Sequence, residues 1–224
     1  MLPIKDLNRS STTPHLNHLL LISNVAIFAV YYLSLNLLPD KGLVEIIEQE
    51  FVMLPSEIVQ QQRLYTLVTS MFMHDGWLHL LGNMLFLYVF GDNVEDAFGH
   101  AGYLIFYLTC GLAAASAHIL SVWGTAEMSS GVIGASGAIS GVLGAYAVLY
   151  PRARVLAAIT YIIVPLPAIL FLGIWFVMQW LSVYFDLSGG VAYWAHIGGF
   201  VAGAFLGLTV GRTRKKARDK RLHL

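Results

Sequence analysis

The sequence is poor in charge. Asp, Glu, Lys and Arg make up 12% of it, against about 25% in soluble domains. That excludes an ordinary soluble fold. Cysteine is nearly absent as well. Cys110 stands alone, so no intrachain disulfide forms and the redox compartment is left open. The N-terminus lacks the short apolar stretch and small-residue cleavage site of a signal peptide. Its first apolar run is of full length and reads as a retained span. H-E-x-x-H does not occur, which removes the commonest zinc-protease signature. Nucleic acid is not expected as a partner.

What is there is apolar. Hydrophobic residues make up 57% of the 224, which points to one compact membrane domain. A spanning helix needs roughly 20 apolar residues, and the chain divides on that scale. Residues 1–17 are a polar N-terminal segment. Span 1 is His18–Leu38, stopped by Pro39-Asp40. The following loop places Leu43, Ile46, Ile47, Phe51 and Leu54 at helical spacing among glutamates, which predicts an amphipathic interfacial helix. Span 2 runs from Trp77 to about Asn93, with Asp92, Glu95 and Asp96 in the headgroup region. Span 3 is Ala101–Ser121, and span 4 is about Val132–Tyr150.

Val155–Phe185 carries no charge over 31 residues, too many for one simple span. Pro165 and Pro167 divide it, because proline favours a helix start over a helix interior. Span 5 is therefore about Pro167–Phe185, and Val155–Val164 is expected to be interfacial or re-entrant. Span 6 is about Val191–Gly211. The tail, 212–224, carries seven Lys/Arg. The expected architecture is thus an all-α, six-helix membrane bundle over 18–211 between two polar ends. Lys5, Arg9, Arg152, Arg154 and the tail cations lie on the side of the termini, with only Lys41 and Arg63 opposite. The positive-inside rule then makes both termini cytoplasmic.

With that topology spans 2, 4 and 6 all enter from the outer face. His79 and Asn83 lie in the first two turns of span 2, Ser136 about one turn into span 4, and His196 about one turn into span 6. All four fall about 5–10 Å below the outer surface. Polar groups at such depth are functional candidates. The stretch Gly134-Ala-Ser-Gly-Ala-Ile-Ser-Gly-Val-Leu-Gly144 surrounds the serine with glycine, and Gly199, Gly203 and Gly207 repeat every fourth residue near His196. Small-xxx-small faces let helices approach closely. A serine hydroxyl needs a base to become a nucleophile, and histidine is the usual one. Asn83 and His79, four apart on one face, are candidate donors to an oxyanion. No acid lies within spans 4 and 6, so the reading is a Ser/His dyad without a third carboxylate.

At these residues the sequence resembles the rhomboid family of intramembrane serine proteases. The matching pieces are His79-Leu-Leu-Gly-Asn83, Gly134-Ala-Ser-Gly137 and Ala195-His-Ile-Gly-Gly199. The resemblance implies a six-helix bundle that cleaves single-pass membrane proteins near the outer end of their helices. It implies Ser136 as nucleophile, His196 as base, and an oxyanion hole of His79, Asn83 and the Ser136 backbone N–H. It implies no metal and no organic cofactor. It also implies gating by span 5, with Trp175, Phe176 and Trp180, and by the loop before span 6 with Gly189-Gly190.

Two positions depart from the family pattern. Gln62-Arg63 stands where many members carry Trp-Arg. Ser140 stands where many carry an aromatic that stacks on the histidine, so His196 is expected to be oriented by a hydrogen bond or a water instead. His118 reads as a hydrogen-bonded structural histidine, His74-Asp75 as a helix-start feature, and Cys110 as a buried small hydrophobe. Glu127 and Asp186 are loop residues near the outer face. The alternatives are a non-catalytic relative that binds membrane helices, and a metal site using His74, His79, His118 and His196. The absence of long soluble domains and of a transit-like start favours a multi-pass protein of a bacterial plasma membrane. Oligomeric state is not legible.

Overall fold

The computed structural model describes residues 1–37, 42–185, 187 and 190–222. Pro39-Asp40, Lys41, Asp186 and Gly189, which enter the sequence reading, lie outside the described residues. Strand β1 (Leu2–Asp6) is followed by helices α1 (His15–Leu37), α2 (Gly42–Phe51), α3 (Pro55–Val59), α4 (Thr66–Thr69), α5 (Trp77–Phe98), α6 (His100–Ser121) and α7 (Ser136–Leu149). Strands β2 (Arg154–Ile159) and β3 (Ile162–Pro167) lead into α8 (Ala168–Tyr184), α9 (Tyr193–Leu206) and α10 (Arg212–Leu222). A π-turn at Gly207–Gly211 joins the last two. Among the described residues three helices are long and apolar enough to cross a membrane, namely His15–Asn36, His100–Ser121 and Tyr193–Lys220; α7 and α8 are shorter apolar helices.

Helix α7 is the axis of the bundle. Every residue from Gly137 to Ala147 is buried, and the core gathers around it through Leu87, Phe90, Tyr107, Cys110, Leu172 and their neighbours. Glycine makes this possible. A methyl built on Gly199 would overlap the carbonyl of Gly137, one on Gly203 that of Gly141, and one on Gly144 that of Phe200. Helices α7 and α9 therefore touch backbone to backbone, as the small-residue spacing predicts. At 14 residues, α7 is about 21 Å long, well short of a hydrocarbon core of about 30 Å. One end of it must lie within the bilayer thickness, and Ser136 is its first residue.

The fold is not all helical. Val155–Val164, expected to be interfacial or re-entrant, forms most of an antiparallel hairpin, and β1 from the far N-terminus completes a three-stranded sheet in the order β1-β2-β3. Apolar β-branched residues in six-residue runs suit strands. One sheet face packs on the core, with Pro3, Val155 and Ala157 buried, while Tyr161, Ile162 and Ile163 at the hairpin tip are exposed. Residues 1–17 are thereby built into the body of the fold, and α1 starts at His15 rather than His18.

The acids at the end of α5 tie these pieces together. Glu95, fully buried, accepts from the backbone N–H groups of Leu16 (3.0 Å) and Asn17 (2.7 Å) and so caps α1. Asp96 accepts from the hydroxyls of Ser11 (2.9 Å) and Thr12 (2.7 Å) and pairs with Arg218 of α10. Asp6 of β1 accepts from Tyr146 of α7 at 2.6 Å and from Asn93 at 2.9 Å.

Burial pushes the Asp6 carboxyl up from its ordinary 3.8 to about 6. The fold prefers the neutral acid, so β1 docks most firmly below about pH 4 and loosens as the pH rises through about 6. Amide exchange of β1 is expected to be slower at pH 5 than at pH 8 once corrected for the intrinsic rate, and Asp6→Asn is expected to remove that difference.

Candidate active site

The geometry of the site begins with the start of α7. Gly134 adopts φ +117°, which favours glycine, and its N–H donates to the Ser70 carbonyl at 2.9 Å. This turn aims the chain into the bundle just ahead of Ser136. A Cβ on Gly134 would lie 2.7 Å from His79 Nε2 and 3.8 Å from Ser136 Oγ, so the two side chains flank one α-carbon. The N–H groups of the first turn of α7 point toward this space, at the positive end of the helix dipole. Ser136 lies at the first helical residue, one turn nearer the helix end than the sequence reading placed it, because residues 132–135 are not helical.

His196 Nε2 stands 2.8 Å from Ser136 Oγ. The close α7–α9 packing brings the two together across sixty residues of sequence. The other ring nitrogen, Nδ1, stands 2.8 Å from Gln179 Oε1 of α8. The amide nitrogen of Gln179 donates to the Trp175 carbonyl at 3.1 Å, and a backbone carbonyl can only accept. Gln179 therefore presents its oxygen to His196. Nδ1 must carry the proton, and Nε2 keeps the lone pair that accepts the serine O–H.

The His196 ring also faces Trp175 (centroids 6.0 Å, 35°) and Tyr193 (6.1 Å, 87°). The orienting partner that Ser140 does not supply is thus Gln179, with Trp175 beside it. Ser140 turns away and donates to the Ser136 carbonyl at 2.6 Å. Gln179 escaped the sequence reading because a lone glutamine in an apolar run carries no motif. A polar side chain at bilayer depth in that run was the available signal.

His79 Nδ1 lies 2.7 Å from Asp75 Oδ1, and Asn83 Nδ2 donates back to the His79 carbonyl at 3.0 Å. His74 is buried against His79 (ring centroids 4.9 Å), and among the described residues neither ring nitrogen has a hydrogen-bond partner. It packs behind His79, just ahead of α5, and does not itself line the cavity. Burial pulls the His74 imidazole down to about 4, keeping it neutral at ordinary pH. A cavity of about 860 Å³ joins Ser136, His196, His79, Asn83, His118 and Trp175. Among the described residues no three His, Cys, Asp or Glu side chains are gathered as a metal would need.

A family model for the Rhomboid domain matches residues 61–213. The chain belongs to the rhomboid family. It is 34% identical over 171 residues to the rhomboid protease GluP of Bacillus subtilis, which covers 75% of this chain and 30% of that protein. It is 28% identical over 184 residues to the mitochondrial Rhomboid protein 1 of Saccharomyces cerevisiae, covering 78% of this chain and 49% of the relative. The chloroplastic Rhomboid-like protein 11 of Arabidopsis thaliana is 39% identical over 77 residues, 34% of this chain and 26% of that one. The chain spans about half or less of the length of these relatives. As a rhomboid protein with apolar helices of spanning length, it is an integral membrane protein.

Proposed function

We propose that this rhomboid protein is an intramembrane serine endopeptidase that cuts single-pass transmembrane proteins near the outer end of their helix. The observation that carries this reading is the 2.8 Å contact between Ser136 Oγ and His196 Nε2, with Nδ1 held by Gln179. Six spans with both termini cytoplasmic, the arrangement the distribution of Lys and Arg supports, put the Ser136 end of α7 toward the outer face. The lipid bilayer and transmembrane substrates are the partners this implies. A bacterial plasma membrane is the compartment, supported by the match to the Bacillus relative over 75% of the chain.

In the reaction Ser136 Oγ attacks the scissile carbonyl while His196 Nε2 takes its proton. The oxyanion is held by the Ser136 N–H, the Asn83 amide and the His79 ring. His196 then returns its proton to the leaving amine. Water repeats the cycle on the acyl-enzyme, with His196 as base, and frees Ser136.

The reading is tested by reconstituting the protein in liposomes with a single-pass substrate and weighing the products. One cut within the outer end of the helix, insensitive to chelators, is expected. A substrate that is bound but never cut would replace this reading with a non-catalytic helix-binding role. Gln179 is a positioning residue in this scheme. Gln179→Leu is expected to lower kcat by about 10- to 100-fold with KM nearly unchanged, the effect of a misplaced ring, whereas Gln179→Glu, which keeps the acceptor, is expected to retain most of the rate.

A further inference from the structure

The β2–β3 hairpin takes no part in the serine and histidine chemistry, and its tip is bare. Tyr161 is 98% exposed, Ile162 60% and Ile163 62%. A two-residue hairpin turn in water favours Asn and Gly, which accept positive φ. Here Thr160 takes φ +54°, with Tyr161 beside it, although a β-branched residue resists that backbone. Charge sits at the other end. Arg152 and Arg154 at the base are exposed, and no acid occurs from Tyr150 to Phe185. Arg154 and Leu156 share the sheet face opposite the buried Val155 and Ala157. Lys5 of β1, paired with Leu156, adds a third exposed cation to that face.

Strand β3 is a free edge of the sheet. Ala168, just beyond it, donates its N–H to the Ala153 carbonyl at 2.7 Å. Alternate residues of an antiparallel strand bond to the partner. Counted back along the register, Leu166, Val164 and Ile162 turn their backbone toward β2. Ile163, Pro165 and Pro167 turn theirs outward. Two of these three are prolines and donate nothing. A further strand would meet a single N–H here, so the edge is a poor seat for a second chain. The outward carbonyls still need water. That suits the boundary between headgroups and acyl chains, and not the hydrocarbon core.

We propose that this hairpin is a membrane anchor: Tyr161, Ile162 and Ile163 seat at the acyl boundary of the inner leaflet, and Arg152 and Arg154 hold anionic lipid headgroups. The inference goes beyond the peptidase reading and shares only its topology. With Ser136 about 5–10 Å below the outer surface, the far end of α7 comes out about 26–31 Å down. That is the inner boundary of a core about 30 Å thick, and β2 begins just after it. From Arg154 to Ile159 the strand rises about 17 Å, more than the roughly 5–8 Å of a headgroup layer. Cations among the headgroups therefore leave the tip within reach of acyl chains. Tyrosine fits that boundary, with an apolar ring and a wet hydroxyl. The arginines add an attraction to anionic lipid that fades within a Debye length.

The test reads depth with a nitroxide label on Tyr161→Cys in a Cys110→Ala background. The full chain is reconstituted in phosphatidylcholine vesicles, with or without phosphatidylglycerol. Collisions with oxygen, which enters acyl chains, are compared with collisions with an aqueous nickel chelate. The oxygen-to-nickel ratio at 161 is expected to exceed that of the same label on Lys220→Cys of α10 by about fivefold or more. Phosphatidylglycerol is expected to raise it about twofold further, and Arg152→Gln with Arg154→Gln to remove that rise. Ile162→Ser with Ile163→Ser is expected to return the ratio to the Lys220 value. Equal ratios at 161 and 220 overturn the anchor. So does a label shielded from both reagents, which would mean protein packed on the tip. A ratio indifferent to phosphatidylglycerol overturns the arginine contacts. The unsubstituted chain is checked with a lipid carrying a diazirine at the top of its acyl chain. Photolabelling of residues 155–167 is expected, and its absence overturns the anchor. Fluorophosphonate labelling of the same vesicles keeps the two readings apart. A sample that reacts but fails these criteria sinks the anchor alone, and one that meets them without reacting sinks the assignment of Ser136 alone.

Discussion

Replacement of Ser136 by alanine is expected to abolish both substrate cleavage and covalent labelling by a fluorophosphonate probe, with a loss of at least about 10⁴-fold. His196→Ala is expected to lose nearly as much. The double variant should be no worse than either single one, because a nucleophile and its base act as a unit and their effects do not add. The 2.8 Å contact explains why. Without Nε2 nothing takes the hydroxyl proton, and without the hydroxyl the histidine has nothing to activate. Neither change should unfold the protein. Ser136 sits at a helix start, where alanine is tolerated apart from the lost polar contact, so thermal unfolding of Ser136→Ala in detergent should stay close to the parent's. Labelling that persisted in Ser136→Ala would put the nucleophile elsewhere and end this assignment.

The second large effect concerns packing. Gly203→Val is expected to destabilise the protein by several kcal/mol, a sizeable part of the roughly 5–15 kcal/mol that folded domains possess. A side chain there meets the Gly141 carbonyl, and Gly199 meets that of Gly137. Backbone on a buried helix cannot swing aside as a flexible side chain can, so α7 and α9 must separate. Overpacking costs typically about 1–3 kcal/mol where side chains yield, and more is expected where they do not. Because these helices carry Ser136 and His196, labelling should fall even under conditions where Gly203→Val or Gly199→Ala remains folded. Gly82→Ala and Gly173→Ala are the controls. Nothing lies within 4 Å of a methyl at either position, and alanine in a helix is favoured over glycine by about 1 kcal/mol. Equal melting of Gly203→Val and the controls would show that the close α7–α9 approach is not what holds the site.

The apolar runs, the basic tail and the glycine spacing were local, periodic signals, and each comes from a physical rule that acts within one segment. Hydrocarbon demands a helix's worth of apolar residues, and close helices demand glycine. From these the sequence by itself determined the membrane class, helices α5, α6, α7, α8 and α9 within a few residues, and the four polar side chains worth watching. It also predicted that His196 would need an orienting partner, because Ser140 is too small to stack on it.

Other features depended on groups far apart in the chain. Strand β1 pairs with β2 across some 150 residues, and nothing in Leu2–Asp6 announces a partner. Gln179 is one apolar-run residue among many until α8 lies against α9 and its amide, fixed by the Trp175 carbonyl, meets Nδ1. His118 reads as one more histidine of a helix end until its place on the wall of the same cavity as Ser136 is seen. Periodicity reports which face of a helix is apolar. Only the packed bundle decides which group that face meets, and hydrogen-bond chemistry is set by that meeting at a scale of about 3 Å.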